Sequence, residues 1–136
     1  VSYSLHPRLS ADTLPVCQLA LCEVRLMDDR RFPWLILVPR IAAATELHRL
    51  PAQAQQQLVA EGSQAADLLL RLTEAEKINL GALGNLVPQL HWHVVARSRK
   101  DACWPGPVWG CGTRESYPEV EREALIRRLQ EGFTDG

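Results

Sequence analysis

Apolar positions along the chain follow two periods. From Val16 to Met27 the chain is rich in Leu, Val and Cys, and most of it reads as a strand. Asp28-Asp29-Arg30-Arg31 is a polar turn. The run Leu35-Ile36-Leu37-Val38, set between Pro33 and Pro39, suits a strand buried on both faces, so the pattern predicts an antiparallel hairpin. The period then changes. Leu47, Leu50, Ala54, Leu58, Ala65, Leu68, Leu69 and Leu72 recur at helical spacing with glutamines between them, which predicts one long amphipathic helix. Pro51 suits its first turn, and Gly62-Ser63 weakens its middle. Lys77 to Leu80 alternates polar and apolar as a half-buried strand does. Gly81 to Asn85 is a turn, and Gln89 to Val95 reads as the next strand.

The flanking segments are less regular. The N-terminal stretch predicts a turn or a short helix after Ser10, then a loop at Asp12–Pro15. Ser98 to Asp101 reads as a charged loop; Arg97 and Arg99, just beyond the strand, are placed to help with a phosphate, but a solvated charged loop is the simpler account. Pro105 and Pro107 exclude a regular helix or central strand from Cys103 to Gly110, where Trp104 and Trp109 are expected to pack the tail onto the sheet or a second subunit, with stacking on a nucleobase as the alternative. Glu119 to Gln130 predicts a short helix, with Gly132 to Gly136 fraying. Hairpin, helix and second strand pair make an α+β arrangement with an antiparallel sheet, and residues 1–136 are expected to form a single domain.

Composition narrows the partners. The chain has 136 residues and a formal net charge of −1, so no global positive field draws nucleic acid or an anionic membrane. No stretch approaches the roughly 18 apolar residues of a membrane span. Cys17, Cys22, Cys103 and Cys111, with no leader pattern in Val1 to Arg8, are expected to be reduced thiols in a cytoplasmic protein.

The candidate chemistry lies in Gln89-Leu90-His91-Trp92-His93-Val94-Val95. In a strand, Gln89, His91 and His93 share one face, roughly 6.5 to 7 Å apart per pair, and Trp92 points to the other, toward the core. Neutral imidazole is a nucleophile or base near pH 7, and two on one face can divide the labour of attack and proton or phosphate handling. Asn79 lies on a neighbouring strand, and the turn at Gly84-Asn85 offers backbone N–H groups to an anion. This set fits phosphoryl or nucleotidyl transfer through a covalent histidine intermediate. His-x-His also serves as a metal pair, here with Cys103 and Cys111 nearby, although their spacing matches no zinc pattern. The plainest reading is two hydrogen-bonded histidines on a sheet face. His6 and His48 read as surface residues.

Gln-Leu-His-Trp-His-Val-Val, preceded by Asn79 and Gly84-Asn85, resembles the His-φ-His-φ-His-φ-φ signature of the histidine triad (HIT) superfamily, where φ is apolar. Trp34 to Arg40 resembles the family's apolar-Pro-Lys/Arg strand, and the long helix and the Ile78-Asn79 strand follow in the family's order. Gln in place of the first histidine, with Trp104 to Gly110 as a Trp-Pro-x-Pro-Val-Trp-Gly tail, resembles a bacterial branch similar to diadenosine polyphosphate hydrolases. The resemblance implies an antiparallel sheet of about five strands with one long helix and a C-terminal helix. It also implies a nucleotide hydrolase or transferase with no cofactor and no metal, usually a homodimer. By position it implies His91 as nucleophile and His93 as the group on phosphate and leaving group. It places Asn79, Gly84 and Asn85 around the phosphate, and Asp28, with Asp29 as the alternative, on the ribose hydroxyls; Gln89 stands at the substrate-binding position of a largely orienting histidine, where its amide reads chiefly as structural. Three positions depart from the family: Gln89 itself, Leu86 where many members have Ser or Thr, and Trp34 near a further supporting histidine. A nucleotide-binding or protein-interaction dimer with little turnover is the alternative these departures allow.

Overall fold

The computed structural model describes residues 2–135. Its elements are α1 (Pro7–Asp12), β1 (Thr13–Gln18), β2 (Cys22–Met27), β3 (Trp34–Pro39), α2 (Ala52–Leu72), β4 (Lys77–Gly81), β5 (Trp92–Arg97) and α3 (Glu119–Asp135). The strands form one antiparallel sheet in the order β1-β2-β3-β5-β4, so the architecture is the expected α+β.

The sheet separates two apolar clusters. Leu35, Leu37, Val94 and Ala96 face Leu58, Ala65, Leu68 and Leu69 of α2 and Leu129 and Phe133 of α3. Trp34, Ile36, Val38 and Val95 face the other way, toward Leu9 of α1, Phe32 and Val108. All six residues of β3 are buried, as its unbroken apolar run requires. The glycine in the middle of α2 does not break the helix. A Cβ at Gly62 would lie 2.9 Å from Nε1 of Trp92, so glycine lets the helix settle onto the indole.

Several expectations need correction. Val16 to Met27 is not mainly one strand: Leu19 to Leu21 is a turn between β1 and β2. The turn carries none of the usual Gly, Pro or Asn markers. The buried Glu61 carboxylate of α2 holds it instead, accepting the N–H groups of Leu21 and Cys22 at 2.9 and 2.8 Å. The stretch expected as an Asp12–Pro15 loop is instead the end of α1 at Asp12 and the start of β1 from Thr13. Pro15 is tolerated because β1 is an edge strand, and the register shifts between Pro15 and Cys17. The short helix α1 runs through Ser10 rather than starting after it, with Pro7 in its first turn and the His6 Nδ1 accepting from the Arg8 N–H. Pro51 caps α2 from outside, preceded by a 3-10 turn at Leu47–Arg49. The last helix runs to Asp135 instead of fraying after Gln130, because Phe133 is buried and Gln130 donates to the Val16 carbonyl. Gly136 lies outside the described residues.

Cys103 and Cys111 are joined in a disulfide, with only Cys17 and Cys22 free. The loop turns back on itself, with Gly106 N–H donating to Cys103 and Cys111 N–H to Val108. This brings the two Cα atoms to 6.3 Å, a separation that a disulfide spans. The expectation of four thiols rested on compartment alone. Arg97 is not solvated either. It is 1% exposed, bonded to Asp101 at 2.8 and 3.1 Å, to Asn79 Oδ1 and to the Gly106 carbonyl, and lies against the Phe32 and Trp104 rings. This cluster pins the proline-rich loop to the end of β5. No helix among the described residues is long and apolar enough to cross a membrane.

Candidate functional site

Ladder pairing of β5 starts at Trp92, so His91 sits just before the strand while keeping its alternation. His91 and His93 point to the face away from α2, with ring centroids 4.9 Å apart. Both line a cleft of about 780 Å³. Its floor is Trp34, Ile36 and Met27 from the sheet, and Val108 and Trp109 close it from the disulfide-bound loop. Leu9 stands on the α1 side, and the turn Leu83–Val87 forms the opposite wall.

Each imidazole has one nitrogen committed. Nδ1 of His91 lies 2.7 Å from the main-chain carbonyl of Gln89. A carbonyl only accepts, so Nδ1 carries the proton and Nε2 holds the free lone pair. Nδ1 of His93 faces the indole N–H of Trp34 at 3.0 Å. An indole only donates, so this Nδ1 is unprotonated and the neutral ring carries its proton on Nε2. The site therefore presents an acceptor and a donor side by side: His91 Nε2 as nucleophile or base, and His93 Nε2–H as a hydrogen-bond donor. Burial, followed by the charge of His6, pushes the His91 pKa down against the opposing Gln89 hydrogen bond. Burial and then the neighbouring His91 bring His93 down to about 3. Both rings are thus favoured in the uncharged form at neutral pH.

The remaining expected residues divide. Gly84 and Asn85 line the cleft, with φ of Gly84 at 75°. Among the described residues the N–H groups of Gly84, Asn85, Leu86 and Val87 donate to no protein backbone. Leu86 is 78% exposed at the rim. Asp29 lines the cleft and Asp28 does not. Asp28 instead accepts the Tyr117 N–H at 3.0 Å. Burial raises the Asp29 carboxyl, but hydrogen bonds from the Arg31 side chain and from the Arg31 and Glu115 main chains outweigh it, and the net is a lowered pKa. Asn79 sits opposite Val95 on β4, outside the cleft lining, with its Oδ1 taken by Arg97.

Gln89 spends its side chain on the N-terminal segment. Its Oε1 accepts the His6 N–H and its Nε2 donates to the Ser4 carbonyl, both at 2.8 Å. A single amide thus pairs with the segment as a neighbouring strand would. The segment leads into α1, whose Arg8, Leu9 and Asp12 line the cleft. Sequence reasoning missed this wall, together with Arg31 and Arg114 at the rim, because no local spacing connects residues 4–12 with residue 89. Trp109 was expected to pack, and it does, edge-on to His93 at 5.3 Å between centroids. The proposed metal group of His91, His93, Cys103 and Cys111 does not form. The cysteines are bonded to each other, and no cluster of three or more His, Cys, Asp or Glu among the described residues is placed to hold an ion.

Residues 8–100 match the model of the HIT domain. Among solved structures, a histidine triad protein of Sinorhizobium meliloti is 48% identical with a TM-score of 0.93, covering 96% of each chain. One from Bradyrhizobium japonicum is 41% identical with a TM-score of 0.94, covering 97% of this chain and 98% of its own. One from Marinobacter aquaeolei is 40% identical with a TM-score of 0.96, covering 99% and 98%. No curated protein matches the chain.

Proposed function

The chain belongs to the HIT domain family, and from that membership we propose that it is a hydrolase or transferase that cleaves a nucleotide at its α-phosphate through a nucleotidyl-histidine. The observation that carries this reading is the pair of locked tautomers: His91 with Nδ1–H on the Gln89 carbonyl, and His93 with Nδ1 under the Trp34 indole. His91 Nε2 attacks the α-phosphorus, and the bond to the leaving group breaks. The imidazolium of the adduct keeps its Nδ1–H···O=C bond, which favours the charge that forms. His93 Nε2–H and the free N–H groups of the Gly84–Val87 turn receive the developing negative charge. Water then attacks phosphorus and gives up a proton to solvent, the P–N bond returns its electron pair to Nε2, and a nucleoside monophosphate leaves.

The substrate class is a dinucleoside polyphosphate or a nucleoside phosphoramidate, with the nucleoside resting on the apolar floor of Leu9, Met27 and Ile36. The Asp29–Arg31 pair stands beside it in the place first assigned to Asp28. The family resemblance adds a homodimer in the cytoplasm and residues 1–136 as one domain. Incubation with both substrate types, followed by product analysis, tests the activity. Nucleoside monophosphate should appear with the native protein and not with a folded His91→Ala variant, and full turnover by that variant would contradict the reading.

A further inference from the structure

We infer that the site is built for a leaving group that departs as an anion, such as a phosphate or polyphosphate chain, and discriminates against one that needs a proton, such as the amine of a phosphoramidate. The inference rests on the proposed His91 attack and deepens it. Its basis is the Trp34 indole N–H lying 3.0 Å from His93 Nδ1, inside the buried sheet face. A general acid at His93 must be an imidazolium, with protons on both nitrogens. Its Nδ1–H would then point at an indole N–H that has no lone pair to offer. Two donors facing each other on a buried sheet face leave that Nδ1 proton without an acceptor, so burial and geometry agree on the neutral ring. Neutral His93 holds one acidic proton, on Nε2, and surrendering it would leave an imidazolate. It stabilises charge by hydrogen bonding and transfers no proton.

The other titratable groups of the cleft do not replace it. His91 is consumed as nucleophile, and its remaining proton is held by the Gln89 carbonyl. Asp29 is kept ionised by Arg31, and Asp12 stands between Arg8 and Arg114 at 3.7 and 3.5 Å. The proton balance follows. When a phosphoanhydride is cleaved, His91 Nε2 forms the P–N bond, and the bridging oxygen keeps the electron pair as a terminal phosphate oxygen. No proton is needed. When a P–N bond of an alkyl phosphoramidate is cleaved, the amide anion must be protonated as it leaves, and this site offers no acid for that.

The test uses the native protein and a series of adenosine 5′-aryl phosphate diesters of graded phenol acidity, beside diadenosine tetraphosphate and an adenosine alkyl phosphoramidate. The expected result is a steep fall of kcat/KM with rising leaving-group pKa. Turnover of the phosphoramidate should be about 100-fold or more below that of the tetraphosphate, the scale that a general acid contributes. A flat dependence, or phosphoramidate turnover equal to or above that of the tetraphosphate, would overturn the inference while leaving the hydrolase reading intact. Absence of turnover across the whole series would overturn the hydrolase reading and this inference with it. Trp34→His restores a group able to accept from Nδ1–H and should flatten the dependence. A folded variant with the native slope would count against the assigned cause.

Discussion

The indole N–H of Trp34 on β3 donates to Nδ1 of His93 on β5, although the two residues are not directly paired in the ladder. Trp34 lies opposite Val95, and His93 lies opposite Ile36. The indole reaches diagonally along the buried face, a distance that only a long side chain covers. Trp34→Phe keeps the ring and removes the donor, leaving a buried acceptor bare. Stability should fall by about 1–2 kcal/mol, and kcat by roughly 5- to 30-fold as His93 loses its fixed tautomer. Denaturant unfolding and steady-state kinetics of the folded variant check both.

Acid should act on rate and stability with the same sign. The proposed attack needs an unprotonated His91, and burial holds its pKa below the usual histidine value, so the acid limb of kcat/KM should lie below pH 6.5. Folded His93 titrates at about 3, below its unfolded value near 6.5. Between these values the unfolded chain binds more protons, so stability rises with pH there. This contribution is complete above pH 6.5 and is lost as pH falls toward 3. A pH–rate profile and melting temperatures across pH 4 to 8 measure it, and a rate limb centred above pH 7 would contradict it.

Arg97 is a buried cation whose partners are Asp101, Asn79 and a loop carbonyl. Arg97→Met leaves the half-buried Asp101 without its counter-charge and unpins the loop that carries Trp109. Breaking such a pair from one side costs about 3–5 kcal/mol. Urea unfolding should show the loss, and a change within about 0.5 kcal/mol would show that the cluster contributes little.

Gln89 acts through the wall it holds. Gln89→Ala removes two side-chain hydrogen bonds to residues 4–6 but leaves the carbonyl that orients His91, since any residue supplies one. KM should rise by roughly 5- to 30-fold, the value of about 1–2 kcal/mol, with kcat nearly unchanged. His6→Pro tests the route. Its φ of −57° suits proline, and the substitution deletes the N–H that Gln89 accepts. The two changes should be non-additive in a double-mutant cycle, and full additivity would place the Gln89 effect elsewhere.

Much of this arrangement was legible in the sequence because local pattern carried it. The prolines around Leu35–Val38 marked a strand buried on both faces, and the leucine spacing marked α2. The alternation around His91 and His93 put both rings on one face. What escaped was set by distant contacts. The turn at Leu19–Leu21 is held by Glu61 from α2, forty residues on, so it carries no turn residues of its own. Arg97 looks like a loop charge until Phe32, Asn79 and Asp101 are assembled around it. The disulfide depends on how a proline-rich loop doubles back, which spacing does not encode. Gln89 shows the same limit: its type suggests an amide that orients the site, while the partners that fix it, Ser4 and His6, lie more than eighty residues away.

The proposed mechanism turns on a covalent bond from His91 Nε2 to the α-phosphorus. The direct measurement is a millisecond mix of the native protein with an α-labelled dinucleoside polyphosphate, quenched in alkaline denaturant because phosphorus–imidazole bonds are labile in acid. Intact mass and peptide mapping then locate the label. One nucleoside monophosphate per chain is expected on the peptide containing His91, formed before product appears and absent in His91→Ala. Product formed without any adduct, or an adduct that persists in His91→Ala, would contradict it.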